Sequence, residues 1–462
     1  MSTEHVQTRD DVRANVRVGL DALRAECETP APLLVSAVAP VAPALTDVHA
    51  AFRRWLGDEY DLDAINVTLA AAAIEQLDGD PLWTLIVSGS GNAKTETVQA
   101  LAGAGAIIAS TITSDGALLS GSPKRETAKD ATGGLLRKMG SRGLLVIKDM
   151  TSILSMNRDA RGAVLAALRE IHDGRWTRNV GTDGGRTLSW QGRIAIVGAV
   201  TTAWDRAHDV IASMGDRFVV LRMDSTVGRI HAGRQAVGNI GHEETMRAEL
   251  SAVVAGVLAH VRQCDAITVS DAERERILAA ADVVTLARTG VEYDYRGDVI
   301  DAHAPEMPTR FAKQLAQVLR GSVALGMDRC SALRLTIRCA RDSMPPLRLA
   351  ILDDVAKHPG SMTKDVRRRL GKPRATVDRQ LQALHMLNVL VCDEEEAVHG
   401  DRPVTLWRYQ LVERISPDVL NPDSVPDLLP QGVMGLRERP ASASAYATAD
   451  ISGTEGDQWT VR

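Results

Sequence analysis

The sequence predicts an α/β fold: a parallel sheet sandwiched by helices, then a helical segment, then a compact C-terminal unit of helices and strands. Three observations predict it. Four short runs, apolar at every position but Thr84, are separated by helical patterns, as expected of parallel strands buried on both faces. A Gly/Ser-rich loop follows the first run and leads into a helical pattern. After residue 226 the strand signal stops, and helical periodicity continues to a basic three-helix pattern near the C-terminus.

In chain order, residues 1–75 read as helical, with Val48, Phe52 and Trp55 at helical spacing and the pattern repeated over 69–77. From Pro81 the apolar runs begin, at 82–87, 144–147, 194–197 and 218–221. Helical patterns then cover 243–261, 271–286 and 309–325, interrupted by a polar loop at 290–304. A compact unit occupies 346–412, and the remainder is rich in Pro, Ser, Asp and Gly, the composition of a disordered tail. The expected division is a helical region (1–75), an α/β core (76–225), a helical lid over it (226–345), the C-terminal unit (346–412) and the tail (413–462). A chain of 462 residues is long enough for two or three such units.

Hydrophobic residues make up 45% and charged residues 24%, the balance of a globular chain, while aromatics are only 3%. Leu, Val, Ile and Ala must therefore build most of the core. The formal net charge is −5, so a nucleic-acid partner would have to be met by a local basic patch. Cys27, Cys264, Cys330, Cys339 and Cys392 are scattered and odd in number, without C-x-x-C spacing, which argues against a disulfide framework and a zinc site. No stretch approaches the roughly 20 apolar residues of a membrane span. A reduced, cytoplasmic protein without a membrane partner is the expectation.

The first apolar run leads into Ser88-Gly89-Ser90-Gly91-Asn92-Ala93-Lys94-Thr95-Glu96 and a helix. Small residues let backbone N–H groups turn toward a phosphate, and the helix start adds its positive end. Lys94 would reach the β- and γ-phosphates, and the Thr95 hydroxyl would coordinate Mg²⁺. Ser88 and Ala93 depart from the strict G-x-x-x-x-G-K-[ST] pattern, and the competing reading is a Gly/Ser turn with an accidental Lys. The run at 144–147 ends in Lys148-Asp149. A carboxylate there would hold the Mg²⁺ shell or polarise the attacking water, and a solvated Lys–Asp pair is the alternative. The third run ends at Thr201, placed to sense a γ-phosphate or simply to make a turn. Arg217 precedes the fourth, placed either to reach a neighbouring subunit's γ-phosphate or to pair locally with Asp216.

These segments resemble the ATPase module of the minichromosome maintenance (MCM) helicases, which are AAA+ proteins. Gly91-Asn92-Ala93-Lys94-Thr95 looks like that family's Walker A loop, where Ala also precedes the Lys. Ile147-Lys148-Asp149-Met150 is similar to its Ile-Asp-Glu-Phe, with Asp149 at the glutamate position and Lys148 at the aspartate. Residues 156–173 resemble the following helix, Arg217-Phe218 the Arg-Phe-Asp finger motif, and 309–320 the sensor-2 helix. The resemblance spans about 80–325, while the family's DNA-encircling N-terminal domain has no counterpart in 1–75. It implies an AAA+ P-loop fold, ATP and Mg²⁺ as ligands, Arg310 on the γ-phosphate, and a homo-oligomeric ring, hexamers included.

Two segments point to DNA. Residues 176–180 and 186–190 flank a Gly-rich turn and read as a hairpin. It lies where the related helicases carry a pore hairpin, so Arg178 and Arg186 could meet phosphates, although a plain surface hairpin is the simpler account. The C-terminal unit reads as a winged helix, as also follows in that family. Helices at 347–356, 363–370 (capped by Ser361 or Thr363) and 374–387 precede strands at 389–391 and 405–411. Its basic face offers Arg367, Arg368, Lys372, Arg374, Thr376, Arg379 and Gln380 to DNA, or is a solvated or protein-docking face. The expected activity is an ATP-hydrolysing DNA helicase or translocase. The alternative is an ATP-switched, DNA-binding initiator or regulator, for which Lys148 and the missing N-terminal domain speak. A loader acting on a partner helicase is a third class.

Overall fold

The computed structural model describes residues 43–121, 133–181, 184–206, 217–261, 267–399 and 402–425. The expected helical region at 1–42, the hairpin turn at 182–183, Asp216, Cys27, Cys264 and the tail from 426 lie outside them. Strand β1 (Trp83–Val87) is followed by β2 (Ile107–Ala109) and β3 (Arg142–Ile147). Next come the antiparallel pair β4 (Arg175–Val180) and β5 (Arg186–Gln191), then β6 (Arg193–Val200) and β7 (Val219–Arg222). Five of these form one parallel sheet in the order β2-β3-β6-β1-β7. Sequence periodicity located four of the five. β2 is only three residues long, too short to stand out as a run.

The period of two along each strand divides the core into two layers. Ile86, Val146, Val197 and Leu221 enter one apolar cluster, shared with Phe52, Leu69 and Leu315. Leu85, Leu145, Ile196 and Val220 enter the other, shared with Leu165, Leu168 and Trp190. Helices thus cover both faces, as continuous apolar strands require. Each such side chain, fully buried, contributes about 1.5–3 kcal/mol. Helix Leu62–Gln76 is buried on every side from Ala64 to Ile74, and its alanines let neighbours come close. Gly321, in helix Thr309–Ala324, abuts it so tightly that a Cβ there would lie 2.5 Å from the Ala70 carbonyl oxygen. Gly321→Ala is therefore expected to cost about 1–3 kcal/mol, read as a lower urea midpoint at unchanged slope. An unshifted midpoint would show that the two helices can move apart freely.

The segment expected as a helical lid, and the C-terminal unit after it, both contribute side chains to the first of these clusters. Leu250, Ile277, Phe311, Val318 and Leu335 belong to the cluster that holds Ile65 and Ile86. Helices Arg229–Gly238 and Arg329–Asp342 were missed by periodicity, and the "polar loop" at 290–304 is a hairpin of β8 (Val291–Tyr293) and β9 (Val299–Ala302). Helix Arg329–Asp342 is pinned to the sheet by charge. Asp342 Oδ2 accepts the Arg222 N–H at 2.8 Å, and Arg338 pairs with Asp61 and, at 2.7 Å, with Asp63. Burial outweighs these partners at Asp342 and raises its pKa from 3.8 to about 6. Between those values the folded chain binds more protons than the unfolded one, so this group's contribution to stability falls as pH rises from about 4 to about 6. Asp342→Asn is expected to flatten that limb of the stability–pH curve. A limb of unchanged slope would assign the titration to another group.

The C-terminal unit comprises helices Pro346–Lys357, Thr363–Leu370 and Arg374–Met386, then the antiparallel pair β10 (Leu390–His399) and β11 (Arg402–Leu411). The cap of the middle helix differs from expectation. Met362 is the N-cap and makes no side-chain cap, because Ser361 Oγ donates to the His358 carbonyl and Thr363 Oγ1 donates to Asp378. Residues 413–425, expected in the disordered tail, instead form two short 3₁₀ turns with Leu420 and Val425 buried. Among the described residues, no helix is long and apolar enough to cross a membrane.

Candidate nucleotide site and basic surfaces

β1 ends in the loop 88–93, and Lys94 opens helix Lys94–Gln99. Two residues of the loop have left-handed backbones, Gly91 (φ 79°) and Ala93 (φ 51°). Ala93 bears a Cβ in that region at a cost of about 1–2 kcal/mol, a local strain of the kind that collects at binding loops. Lys94 is 8% exposed and folds back on its own loop. Its Nζ donates to the Ser88 carbonyl (3.1 Å), Ser88 Oγ (3.0 Å) and the Gly89 carbonyl (2.5 Å). Burial lowers its pKa, and the nearby Asp149 carboxylate opposes that shift. The ammonium is thus held among oxygen acceptors at the centre of the loop, where phosphate oxygens could take their place. Ser90 and Gly91 are exposed at the loop's tip, and Asn92 Nδ2 ties the loop to the Asp224 carbonyl at 3.1 Å. Glu96 holds Arg247 through two hydrogen bonds, at 2.8 and 3.0 Å, and both residues line the space beside the loop with Gly91, Asn92 and Ala93.

The neighbouring strands bring two more predicted residues to the same edge. Asp149 follows β3, with its backbone N–H bonded to the Ser110 carbonyl and its exposed carboxylate accepting the Thr151 N–H at 3.0 Å. Thr201 follows β6. Its N–H donates to Thr151 Oγ1 at 3.1 Å, and Thr151 Oγ1 donates to Thr201 Oγ1 at 3.3 Å. β6 lies between β1 and β3, so Asp149, Thr151, Thr201 and Lys94 line the carboxyl ends of adjacent parallel strands. In open α/β sheets that edge is where ligands bind. Thr95 is exposed on the helix that Lys94 opens, and Asp149 is exposed on β3's tip. An oxygen-bearing hydroxyl and carboxylate are the donor types a Mg²⁺ ion accepts beside phosphates. Lys148, partly buried, stands next to Asp149 where a second acid would be useful.

A cavity of about 260 Å³ opens beside the loop, lined among others by Tyr60, Asp61, Gly91, Ala93, His231 and Gln235. Sequence reasoning missed its walls. They come from the turn after helix Leu45–Leu56 and from helix Arg229–Gly238, which share no motif and lie about 170 residues apart. Tyr60 Oη hydrogen-bonds Thr97 Oγ1 at 2.8 Å, and burial pushes its phenol well above the usual range.

Arg217 and Arg310 are elsewhere. Val219 pairs with Thr84 in the sheet, so Arg217 sits at the amino end of the strands, about 20 Å along them from the loop. It is 8% exposed, pairs with Asp173 at 3.2 Å, and its carbonyl accepts the Gln314 amide. Trp83 stacks nearby on Phe218 and edge-on to His172. Burial lowers the Arg217 pKa, and the charges of Arg310 and Arg169 lower it further. Three arginines therefore share one edge, opposite the Lys94 loop.

The basic DNA candidates divide. Arg367, Arg368, Lys372, Arg374 and Thr376 are exposed on the C-terminal unit, Arg368 lying 3.9 Å from the Asp365 carboxylate. Arg379 is half-buried and donates to the Arg296 carbonyl of the β8–β9 hairpin at 2.9 Å. Gln380, expected to face a groove, points inward because the buried Arg348 donates to its Oε1 at 2.9 Å. Arg178 anchors its hairpin to the body, pairing with Asp115 at 3.0 Å and donating to the Leu119 carbonyl at 2.8 Å. Arg186 is exposed on the facing strand.

No family model matches the chain, and no curated protein does. Among solved structures, the chain is similar to the C-terminal region of NrS-1 in its A-form apo structure. The identity is 11% and the TM-score 0.27, over 83% of this chain and 79% of that one.

Proposed function

We propose that this chain is an AAA+ ATPase that moves on DNA, a helicase or translocase, with a winged helix at 346–412 as its DNA-binding unit. One observation carries the reading. The Lys94 loop, Asp149 and Thr201 meet at the carboxyl edge of a parallel sheet, beside a 260 Å³ cavity large enough to take part of a nucleotide.

In this reading Lys94 exchanges the Ser88 and Gly89 carbonyls for the β- and γ-phosphate oxygens of ATP. Mg²⁺, held by Thr95 and Asp149, would supply charge neutralisation between those phosphates. Asp149 orients a water for in-line attack on the γ-phosphorus, and Thr201 holds the Thr151–Asp149 row in register as the phosphate departs. Arg217 cannot reach its own loop, so it serves the site of an adjacent copy in a ring, with Arg310 beside it. There it stabilises the charge of the transition state. DNA phosphates meet Arg367, Arg368, Lys372, Arg374 and Thr376, with Arg186 as a second contact. Affinity should therefore fall steeply with salt.

Lys148 favours a second reading, in which ATP binding switches a DNA-bound initiator with little hydrolysis. ATPase assays with and without DNA decide between them, because a motor's turnover rises with DNA and a switch's does not.

A further inference from the structure

Helix Arg374–Met386 holds the place of the helix that a helix-turn-helix unit lays in the major groove, yet past its first turn one side of it faces the rest of the chain. At about 100° per residue, Arg379, Gln380 and Ala383 share that side. Ala383 is fully buried. Gln380 Oε1 accepts from Arg348 Nε, and Arg348 Nη1 donates in turn to the Ala287 and Thr289 carbonyls at 2.8 and 2.6 Å. Arg379 donates to the Arg296 carbonyl in the turn of the β8–β9 hairpin. It lies so close to Gly297 (φ 81°) that a Cβ there would fall 2.6 Å from Nη2. The part of the helix left open past the first turn carries Asp378, Gln382, His385 and Met386, and the Asp378 carboxylate already accepts from Thr363 and Gln382.

We infer that the β8–β9 hairpin is an autoinhibitory element, which covers the Arg379 side of this helix and must withdraw before duplex DNA can engage it. The inference rests on reading 346–412 as the DNA-binding unit. The turn that meets Arg379 is firmly built. Asp294 Oδ1 accepts the Arg296 and Asp298 N–H groups at 2.8 and 2.9 Å, and the Asp294 N–H donates to the Asp298 carbonyl at 2.9 Å. Its one cation, Arg296, is turned onto the Tyr295 ring and donates to Tyr295 Oη at 2.8 Å. Over 291–303 the hairpin carries Glu292, Asp294, Asp298 and Asp301 against Arg296 and His303. An acidic element with a carbonyl on Arg379 thus stands where a duplex would bring phosphate and base-edge oxygens. Arg367, Arg368, Lys372, Arg374 and Thr376 stay exposed, so DNA can make first contact while the hairpin is in place. Arg379 joins only after the hairpin leaves, and the apparent affinity is lowered by the fraction of chains still covered.

The test is the affinity of the full chain for a fluorescein-labelled duplex at one fixed salt concentration, for wild type and for a variant with Asn-Gly in place of residues 294–298. Tyr293 pairs with Val299, and a two-residue turn of that kind closes such a pair. The expected result is binding about tenfold tighter in the variant, as for a face uncovered about a tenth of the time in wild type. Adding Arg379→Ala to the variant should abolish the gain. Unchanged or weaker binding overturns the inference. A gain that survives Arg379→Ala also overturns it, because loss of acidic charge alone would then account for the effect. Amide hydrogen exchange over 291–302 of the wild type is read in parallel and should quicken when duplex is added. Unchanged or slower exchange overturns the inference whether or not the variant folds. If neither chain binds duplex at low salt, the DNA-binding reading itself falls.

Discussion

Lys94→Ala is expected to lower ATP turnover by at least about 10²-fold, the scale of removing one preorganised charge from a phosphoryl-transfer site. The side chain makes three hydrogen bonds to its own loop, so the loop should loosen, but the fold should not fail. None of those partners belongs to the apolar clusters that hold the sheet. DNA affinity should be retained, because the hydrogen bonds of the Lys94 side chain go to its own loop and none reaches a residue of 346–412. Turnover persisting in Lys94→Ala would remove the loop from the chemistry. Loss of DNA binding in the same variant would contradict the modular picture.

Arg217→Ala is expected to lower turnover by about 10³-fold at unchanged nucleotide affinity, as for a charge that acts on the transition state alone. Its partner Asp173 is 55% exposed, so the carboxylate left behind is met by water and the structural loss is small. The decisive form is a mixing experiment. Lys94→Ala and Arg217→Ala subunits are each inactive, yet about a quarter of the junctions in a random mixture pair an intact loop with an intact arginine. Partial recovery on mixing places Arg217 in trans. With no recovery, and with Arg217→Ala alone losing affinity or melting temperature, the residue would be a structural ion pair.

Much of the fold was legible because burial on both faces leaves a plain trace in sequence. The runs ending at Val87, Ile147, Val197 and Leu221 are apolar at every position but Thr84, and no other arrangement uses such runs so well. The Lys94 loop was legible for a related reason, since backbone turning toward phosphate demands small residues at fixed offsets from the lysine. What stayed hidden had no local trace. β2 is held by its pairing with β3 and not by its own propensity. The walls of the cavity come from Tyr60 and His231, distant residues that are joined only by packing. Gln380 read as surface because its helix face is polar. The buried guanidinium it serves, Arg348, anchors the C-terminal unit through the Ala287 and Thr289 carbonyls, a contact outside the reach of periodicity. That the helices of 226–345 share an apolar cluster with the sheet was hidden for the converse reason. Periodicity shows that a helix has an apolar face, and not which layer receives it.

The most direct test of the account is the steady-state ATPase rate of the full-length chain with no DNA, with single strands and with duplex, using Lys94→Ala as the blank. The account predicts turnover that rises with DNA and vanishes in the variant. ATP binding without hydrolysis under every condition would contradict the motor, and would make the lysine at 148 the residue to replace by Asp next.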